Sequence, residues 1–191
     1  MVKNIMIVGV GGQGSLLASR ILGAAAVACG YDVKVSEVHG MSQRGGSVVT
    51  YVRYGDGVYS PVICDGEADA ILSFEQLEAA RWLPCLKKGG TIITSSQKIN
   101  PMPVITGAAV YPDEIEAKIK ALDVNILCAD TAAIAAEAGN ERASNVALIG
   151  LAAKTGALGF DVSVVRDAVA ACVPAKALDV NLRAFDLALE A

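Results

Sequence analysis

The segment that most constrains the fold is NIMIVGVGGQGSLLASRI, residues 4–21, in which an apolar run breaks into closely spaced glycines and then into a helical pattern. A short, continuous apolar run is typical of a strand that is buried on both faces of a parallel sheet. The glycines match the spacing G-x-G-x-x-G, and the helical pattern continues to a stop at Gly30. A strand, a glycine turn and a helix in this order begin a β-α-β unit, which implies a right-handed parallel crossover.

The rest of the chain continues the alternation of strands and helices. Strand patterns stand at YDVKVSEV, DAILSF, TIITSS and VNILCAD, and helical patterns at EQLEAARWLPCLKKGG and PDEIEAKIKAL. The chain reads as helical from Thr131 to its end, with breaks near Gly139-Asn140, at Gly156 to Gly159 and at Pro174. We therefore expect one α/β domain over residues 1–191, a doubly wound, mostly parallel, Rossmann-like sheet with C-terminal helices.

One segment departs from the alternation. SVVTYVRYGDGVYSPVI, residues 47–63, contains two extended stretches on either side of Asp56-Gly57. Asp-Gly between two extended stretches favours a hairpin turn, so we expect a hairpin or an excursion at the edge of the sheet.

Charge and hydropathy exclude two classes of partner. The net charge of −4 argues against a grip on nucleic acid, which requires clustered basic residues. The chain is 53% apolar, yet polar residues interrupt every run before the roughly 18 residues that a membrane span needs.

The first residues lack a cleavable leader pattern, so we expect a cytoplasmic protein. A chain with this many apolar residues is expected to bury some of its apolar surface against a partner, either another chain or a second copy of itself.

The cysteines argue against a metal site. They stand singly at positions 29, 64, 85, 128 and 172, and no two form a Cys-x-x-Cys pair. Reduced core thiols fit this pattern better than a disulfide framework, a zinc site or an iron-sulfur cluster.

The glycine turn is the first candidate site. Its residues are Gly9, Gly11, Gly12, Gln13 and Gly14. Backbone N–H groups and a helix N-terminus at such a turn attract an anion such as a pyrophosphate, which favours NAD(P). However, the acidic Glu37 lies 28 positions after Gly9 rather than about 20. An equally good interpretation is that the glycines only let the helix pack closely on the sheet.

A second candidate loop follows the second strand, at the carboxyl edge where open α/β sheets bind ligands. The stretch SEVHGMSQRGG contains Glu37, the single histidine His39, Ser42, Gln43 and Arg44, and then Gly45 and Gly46. Arg44 suits a phosphate or carboxylate, and His39 is a candidate for proton exchange, because histidine is the side chain that commonly exchanges a proton at physiological pH. The alternative is that both side chains are solvated or paired with Glu37.

A third motif, NERASNVALIGLAAKTG, places Arg142 and Asn145 at the start of an apolar helix. We favour a buried helix whose Asn145 is satisfied by backbone groups over a ligand contact.

Together, GVGGQGSLLASRILGAAA, EVHGMSQRGGSVVTYVR and ERASNVALIGLAAKTG resemble the gamma-type subunits of 2-oxoacid:ferredoxin oxidoreductases over essentially the whole chain. The form HGMSQRGG is similar to the beta subunit of the indolepyruvate branch. The resemblance implies a complex in which thiamine diphosphate decarboxylates a 2-oxoacid, iron-sulfur clusters reduce ferredoxin, and coenzyme A takes the acyl group.

The same resemblance assigns the cofactors to other chains. Thiamine diphosphate in such enzymes is held through magnesium by Gly-Asp-Gly and a later Asn-Asn. Here Gly55-Asp56-Gly57 fits a turn better, and no Asn-Asn exists. Thiamine diphosphate, magnesium and [4Fe-4S] clusters are therefore expected in the partner subunit, with no catalytic residue and no metal site in this chain. The resemblance implies that the glycine turn holds a phosphate of coenzyme A, that Arg44 contacts an anion and that Gly45-Gly46 approaches another surface.

Overall fold

The computed structural model describes residues 2–40 and 45–191 and contains a six-stranded sheet with helices on both faces. The strands lie in the order β2-β3-β1-β4-β5-β6. Their bounds are β1 Lys3–Val10, β2 Asp32–His39, β3 Ser47–Gly55, β4 Ala68–Ser73, β5 Leu86–Ser95 and β6 Asn125–Ala129.

The sheet is parallel except for one strand. β1, β4, β5 and β6 pair in parallel, whereas β3 pairs antiparallel with both β1 and β2. β2 therefore runs in the same direction as β1, but β3 separates the two. The chain crosses from β1 to β2 on one side of β1 and continues to β4 on the other, which confirms the doubly wound α/β prediction and places a topological switch point between β1 and β4.

The hairpin prediction at Asp56-Gly57 is wrong. β3 ends at Gly55, the hairpin joins β2 to β3, and residues 58–65 form no strand. In this segment, side chains rather than a neighbouring strand provide partners for backbone groups. Arg53 donates from Nη1 to the carbonyls of Ser60 and Val62, and Asp32 accepts from the Val58 amide at 2.9 Å.

The helical segments are α1 Ser15–Ala28, α2 Gln76–Arg81, α3 Met102–Ile105, α4 Ile115–Lys120, α5 Thr131–Ala138, α6 Ser144–Lys154, α7 Val162–Cys172 and α8 Leu178–Glu190. The helix expected over residues 75–90 is too long. It ends at Arg81, a 3₁₀ turn containing Pro84 follows, and Leu86 already pairs with Ala68 in the sheet. Proline cannot donate to the helix ladder, and sheet pairing then takes over the chain.

Two apolar cores lie on opposite faces of the sheet. α1 and the C-terminal helices cover one face, and α2 and α4 cover the other. α6 is the most enclosed helix, because all nine residues from Asn145 to Ala153 are buried. The predicted C-terminal helices are confirmed, with breaks where the glycines and Pro174 stand. In the described ranges, no helix is both long and apolar enough to cross a bilayer.

Candidate functional site

The glycine turn connects β1 to α1 at the carboxyl edge of the sheet. Gly12 and Gly14 have φ angles of 104° and 90°, which non-glycine residues adopt only with strain. α1 begins directly after Gly14 with no side-chain cap and no acidic residue in its first turn. The first amides of α1 therefore keep their partial positive charge beside the turn.

The Gln13 side chain ties the turn to neighbouring strands. Its Oε1 accepts from the Val10 amide at 2.7 Å, and its Nε2 donates to the Phe74 carbonyl at 3.1 Å and to Gln97 Oε1 at 2.9 Å. A Cβ on Gly9 would lie 2.7 Å from Gln13 Oε1, so the glycine makes room for this amide. Because the Gln13 amide already forms these hydrogen bonds within the protein, its role is to hold the turn in place more than to contact a ligand.

Gly14 is in contact with the third motif. A Cβ on Gly14 would lie 2.4 Å from Asn145 Nδ2. Asn145 is 7% exposed, and its Oδ1 accepts from the Val146 amide at 2.8 Å. Its Nδ2 donates to no atom of the described residues. The backbone thus satisfies the oxygen, as expected, but leaves the amide N–H groups beside the glycine turn.

The second loop meets the glycine turn through its described members. The Gly11 amide donates to the Gly46 carbonyl at 2.9 Å. Glu37 Oε2 accepts from the hydroxyls of Ser15 and Thr50, both at 3.2 Å. Glu37 and Gly46 therefore lie against the turn, as the sequence predicted.

The remaining members of this loop contribute less to the described geometry. Gly45 has a φ angle of 75° and His39 lies exposed at the end of β2. Ser42, Gln43 and Arg44 lie outside the described residues, and their assignment to an anion site stays a prediction.

The position of β3 bears on the NAD(P) interpretation. In a dinucleotide site the acidic residue ends the strand that directly neighbours β1 and accepts from the ribose hydroxyl. Here β3 occupies that place, and Glu37 Oε2 already accepts from two hydroxyl groups. The arrangement disfavours a ribose contact at Glu37.

A cleft of about 430 Å³ opens beside the turn, at the switch point between β1 and β4. It is lined by Gly12, Gln13, Gly14, Phe74, Gln97, Thr131, Arg142, Ser144 and Asn145. Arg142 supplies the positive charge of this lining, and Asn145 supplies an amide donor. The cleft offers donors and a cation to an anionic group, but the described residues that line it include no paired acid and base for proton transfer.

Sequence reasoning missed the walls formed by Phe74, Gln97 and Thr131. Each follows the carboxyl end of a strand, β4, β5 or β6, which is the position where open sheets bind ligands. That rule, applied to every strand and not only to the glycine turn, would have found them.

The Gly55-Asp56-Gly57 triplet lies at the opposite edge of the sheet. β3 runs antiparallel to β1, and Tyr54 pairs with Lys3, so the triplet stands beside the amino end of β1. It does not fit a thiamine diphosphate site shared with the glycine turn.

The cysteines do not fit a cluster site. Burial raises the pKa of the Cys85 and Cys128 thiols to about 11, so both are protonated at neutral pH. Cys128 lies in β6, whereas Cys29 and Cys172 stand at the ends of α1 and α7. Within residues 2–40 and 45–191, no three His, Cys, Asp or Glu side chains converge as metal ligands.

Comparison with known proteins gives one family over nearly the whole chain. The family model described as pyruvate ferredoxin/flavodoxin oxidoreductase matches residues 4–191. Indolepyruvate oxidoreductase subunit IorB of Pyrococcus horikoshii is 47% identical over 98% of this chain and 95% of its own.

Solved structures share the fold at lower identity. The keto/oxoacid ferredoxin oxidoreductase gamma subunit of Geobacter sulfurreducens superimposes with a TM-score of 0.73 at 22% identity, over 98% of this chain and 96% of its own. The 2-oxoglutarate:ferredoxin oxidoreductase of Magnetococcus marinus, solved with 2-oxoglutarate, coenzyme A and succinyl-CoA, gives 0.72 at 18% identity. The match covers 98% of this chain but 30% of that longer one.

Proposed function

Because this chain belongs to the pyruvate ferredoxin/flavodoxin oxidoreductase family, we propose that it is the non-redox subunit of a thiamine diphosphate-dependent 2-oxoacid:ferredoxin oxidoreductase. The observation that supports this proposal most strongly is that the chain is 47% identical, over 98% of its length, to an indolepyruvate oxidoreductase subunit. The complex would convert an aryl pyruvate, with indolepyruvate favoured, and coenzyme A to an acyl-CoA and CO₂ while ferredoxin is reduced.

The chemistry of this reaction belongs to the partner subunit. Thiamine diphosphate, magnesium and [4Fe-4S] clusters supply the decarboxylation and the electron path there. The misplaced Gly-Asp-Gly triplet and the scattered cysteines support that division. We place the complex in the cytoplasm and expect an isolated copy of this chain to be inactive.

The cleft suggests what this subunit adds. We propose that its donors take a phosphate of coenzyme A at a site that the partner completes. Arg142, the Asn145 amide and the uncapped start of α1 would hold the phosphate. Arg44 is proposed as a further contact to the same ligand.

Reconstitution tests the proposed function. The chain is co-expressed with its thiamine diphosphate-binding partner subunit, and ferredoxin reduction is measured with indolepyruvate, pyruvate or 2-oxoglutarate in the presence of coenzyme A. We expect activity only when both chains are present, and the highest kcat/KM with indolepyruvate. Activity of the partner alone equal to that of the complex would contradict the proposal.

Calorimetric titration of coenzyme A into the complex tests the cleft. Loss of a charge-assisted hydrogen bond in Arg142→Ala should weaken binding about tenfold or more. Arg183→Ala, an exposed arginine on α8 that does not line the cleft, is the matched control. Unchanged affinity in both Arg142→Ala and Arg44→Ala counts against the phosphate site. Tight NADH binding by the isolated chain, measured by fluorescence, would instead favour a stand-alone NAD(P)-dependent enzyme.

A further inference from the structure

The segment from Ile99 to Tyr111, which we call the apolar loop, leaves the carboxyl end of β5 and lies largely in solvent. It contains no Asp, Glu, Lys, Arg or His. Met102, Ile105 and Val110 are 63%, 64% and 85% exposed, and α3, which lies within the loop, has no buried residue. Three large apolar side chains grouped in one uncharged segment are costly to leave in water.

Both ends of the apolar loop are fixed to one buried carboxylate. Glu75, which is 1% exposed, accepts at Oε1 from the Ile99 amide at 3.1 Å and from the Tyr111 hydroxyl. Its Oε2 accepts from the Glu78 amide at 2.9 Å. Burial and the bond to Glu75 raise the pKa of Tyr111, so the hydroxyl stays a donor. A carboxylate with three donors at a buried position holds the two ends of the loop together.

The interior of the loop is ordered by its own backbone. The amides of Val104 and Thr106 donate to the carbonyls of Pro101 and Met102, both at 2.9 Å, and the Ala109 amide donates to Pro103 at 3.0 Å. The apolar side chains are therefore presented on a preformed shape, which lowers the entropy lost when a partner binds.

An apolar groove adjoins the loop. It measures about 200 Å³, lies between α2 and α4, and is lined by Leu77, Ala80, Leu83, Pro112, Ile115, Lys118, Ile119 and Leu122. Pro112 directly follows Tyr111, and Leu122 is 50% exposed. Lys98, Asp113 and Glu114 flank the loop and are exposed. An apolar centre with a polar rim is the composition of a protein interface.

We propose that the apolar loop and this groove dock the partner subunit that carries thiamine diphosphate, through an uncharged apolar surface of that subunit. The inference rests on the proposed function. Position supports the partner over a second copy: the loop begins two residues after Gln97, which lines the cleft and binds Gln13. A chain seated on the loop would therefore lie next to the cleft, and the thiamine diphosphate-bearing subunit would bring its cofactor there. A second copy would bring no catalytic cofactor to the cleft.

The test compares two charged substitutions. Val110→Asp introduces a charge at the most exposed large apolar side chain of the apolar loop, and Val62→Asp does the same at an exposed valine in the irregular segment after β3. Both chains are co-expressed with the thiamine diphosphate-binding subunit. Co-elution is measured by size exclusion and affinity by biolayer interferometry, and circular dichroism of the isolated variants verifies folding. We expect Val110→Asp to weaken association at least about tenfold and Val62→Asp to match wild type.

Three other outcomes would contradict the proposed docking, and each of them would point to a different explanation. If wild type and both variants associate equally, the docking is wrong and the proposed function stands. If wild type does not associate with the subunit at all, the proposed function fails together with the docking. If isolated wild type is a dimer that Val110→Asp converts to a monomer, a second copy occupies this surface. A second variant, Ile105→Asp, must behave as Val110→Asp does, because both side chains belong to the same loop.

Discussion

Three glycines of the turn meet different physical requirements. Gly9 leaves room for the Gln13 amide, Gly12 adopts a positive φ in open space, and Gly14 combines a positive φ with close contact to Asn145. The pattern G-x-G-x-x-G, which comprises Gly9, Gly11 and Gly14, allowed two interpretations, an anion site or close packing of the helix on the sheet. At the scale of single residues, contacts with Gln13 and Phe74 account for a glycine at position 9, and contact with Asn145 accounts for one at position 14.

Gly14→Ala should therefore cost more stability than Gly12→Ala. The left-handed backbone costs an alanine about 1–2 kcal/mol at either position. At Gly14 the new methyl group also meets Asn145 Nδ2, which raises the expected loss to about 2–4 kcal/mol. Urea unfolding of the two variants measures the difference.

A double-mutant cycle separates the two costs at Gly14. Asn145→Ala removes the clashing amide, so the double variant should lose less than the sum of the single losses, by about 1 kcal/mol or more. Strict additivity would show that backbone strain alone accounts for the effect.

At the scale of elements, the spacing between α6 and α8 depends on a glycine within a helix. A Cβ on Gly150 would lie 2.7 Å from the Phe185 carbonyl oxygen and 2.9 Å from the Ala188 Cβ. Glycine weakens a helix interior, so its presence in the buried α6 indicates close approach of the α8 backbone. The periodic pattern predicted both helices, but it carried no information about how near their axes lie.

Gly150→Ala should destabilise the protein although alanine is the better helix former. The gain of about 1 kcal/mol in helix propensity is smaller than the cost of about 1–3 kcal/mol for overpacking against α8, whose backbone cannot turn aside as a side chain can. Gly23→Ala in α1 is the control, since its nearest neighbour is Val33 Cγ1 at 4.0 Å. Urea unfolding should show a loss for Gly150→Ala and no loss, or a gain of up to about 1 kcal/mol, for Gly23→Ala. Equal effects would contradict the close approach.

At the scale of the whole molecule, exposed large apolar side chains occur on several surfaces, and Met102, Ile105 and Val110 form one group of them beside the candidate site. The sequence showed an excess of apolar residues and predicted a partner, but it could not locate the contact. Tertiary structure places the apolar loop and the cleft at the same sheet edge, because β5 and β1 end there together. The proposed ligand contact and the proposed partner contact therefore lie at the same edge of the sheet.

Binding of the partner subunit should raise the stability of this chain by mass action. At a partner concentration of 100 times Kd, the free energy of unfolding should increase by about 2.7 kcal/mol, since the partner binds only the folded chain. Thermal unfolding of the labelled chain, with and without the thiamine diphosphate-binding subunit, measures the shift. Val62→Asp should show the wild-type shift and Val110→Asp a much smaller one, and an equal shift in both would remove the apolar loop from the interface.

The sequence by itself determined the alternation of most strands and helices, the glycine turn, the C-terminal helices and the family. These follow from local periodicity and from residues that lie close together in the chain. Tertiary structure decided the rest, because long-range pairing is not encoded in local pattern. β3 lies between β1 and β2 and not in a hairpin at Asp56-Gly57. Gln13 is occupied by Phe74 and Gln97, which lie more than sixty residues away. The cleft exists only because a 3₁₀ turn at residues 141–143 and the start of α6 bring Arg142 and Asn145 to the glycine turn.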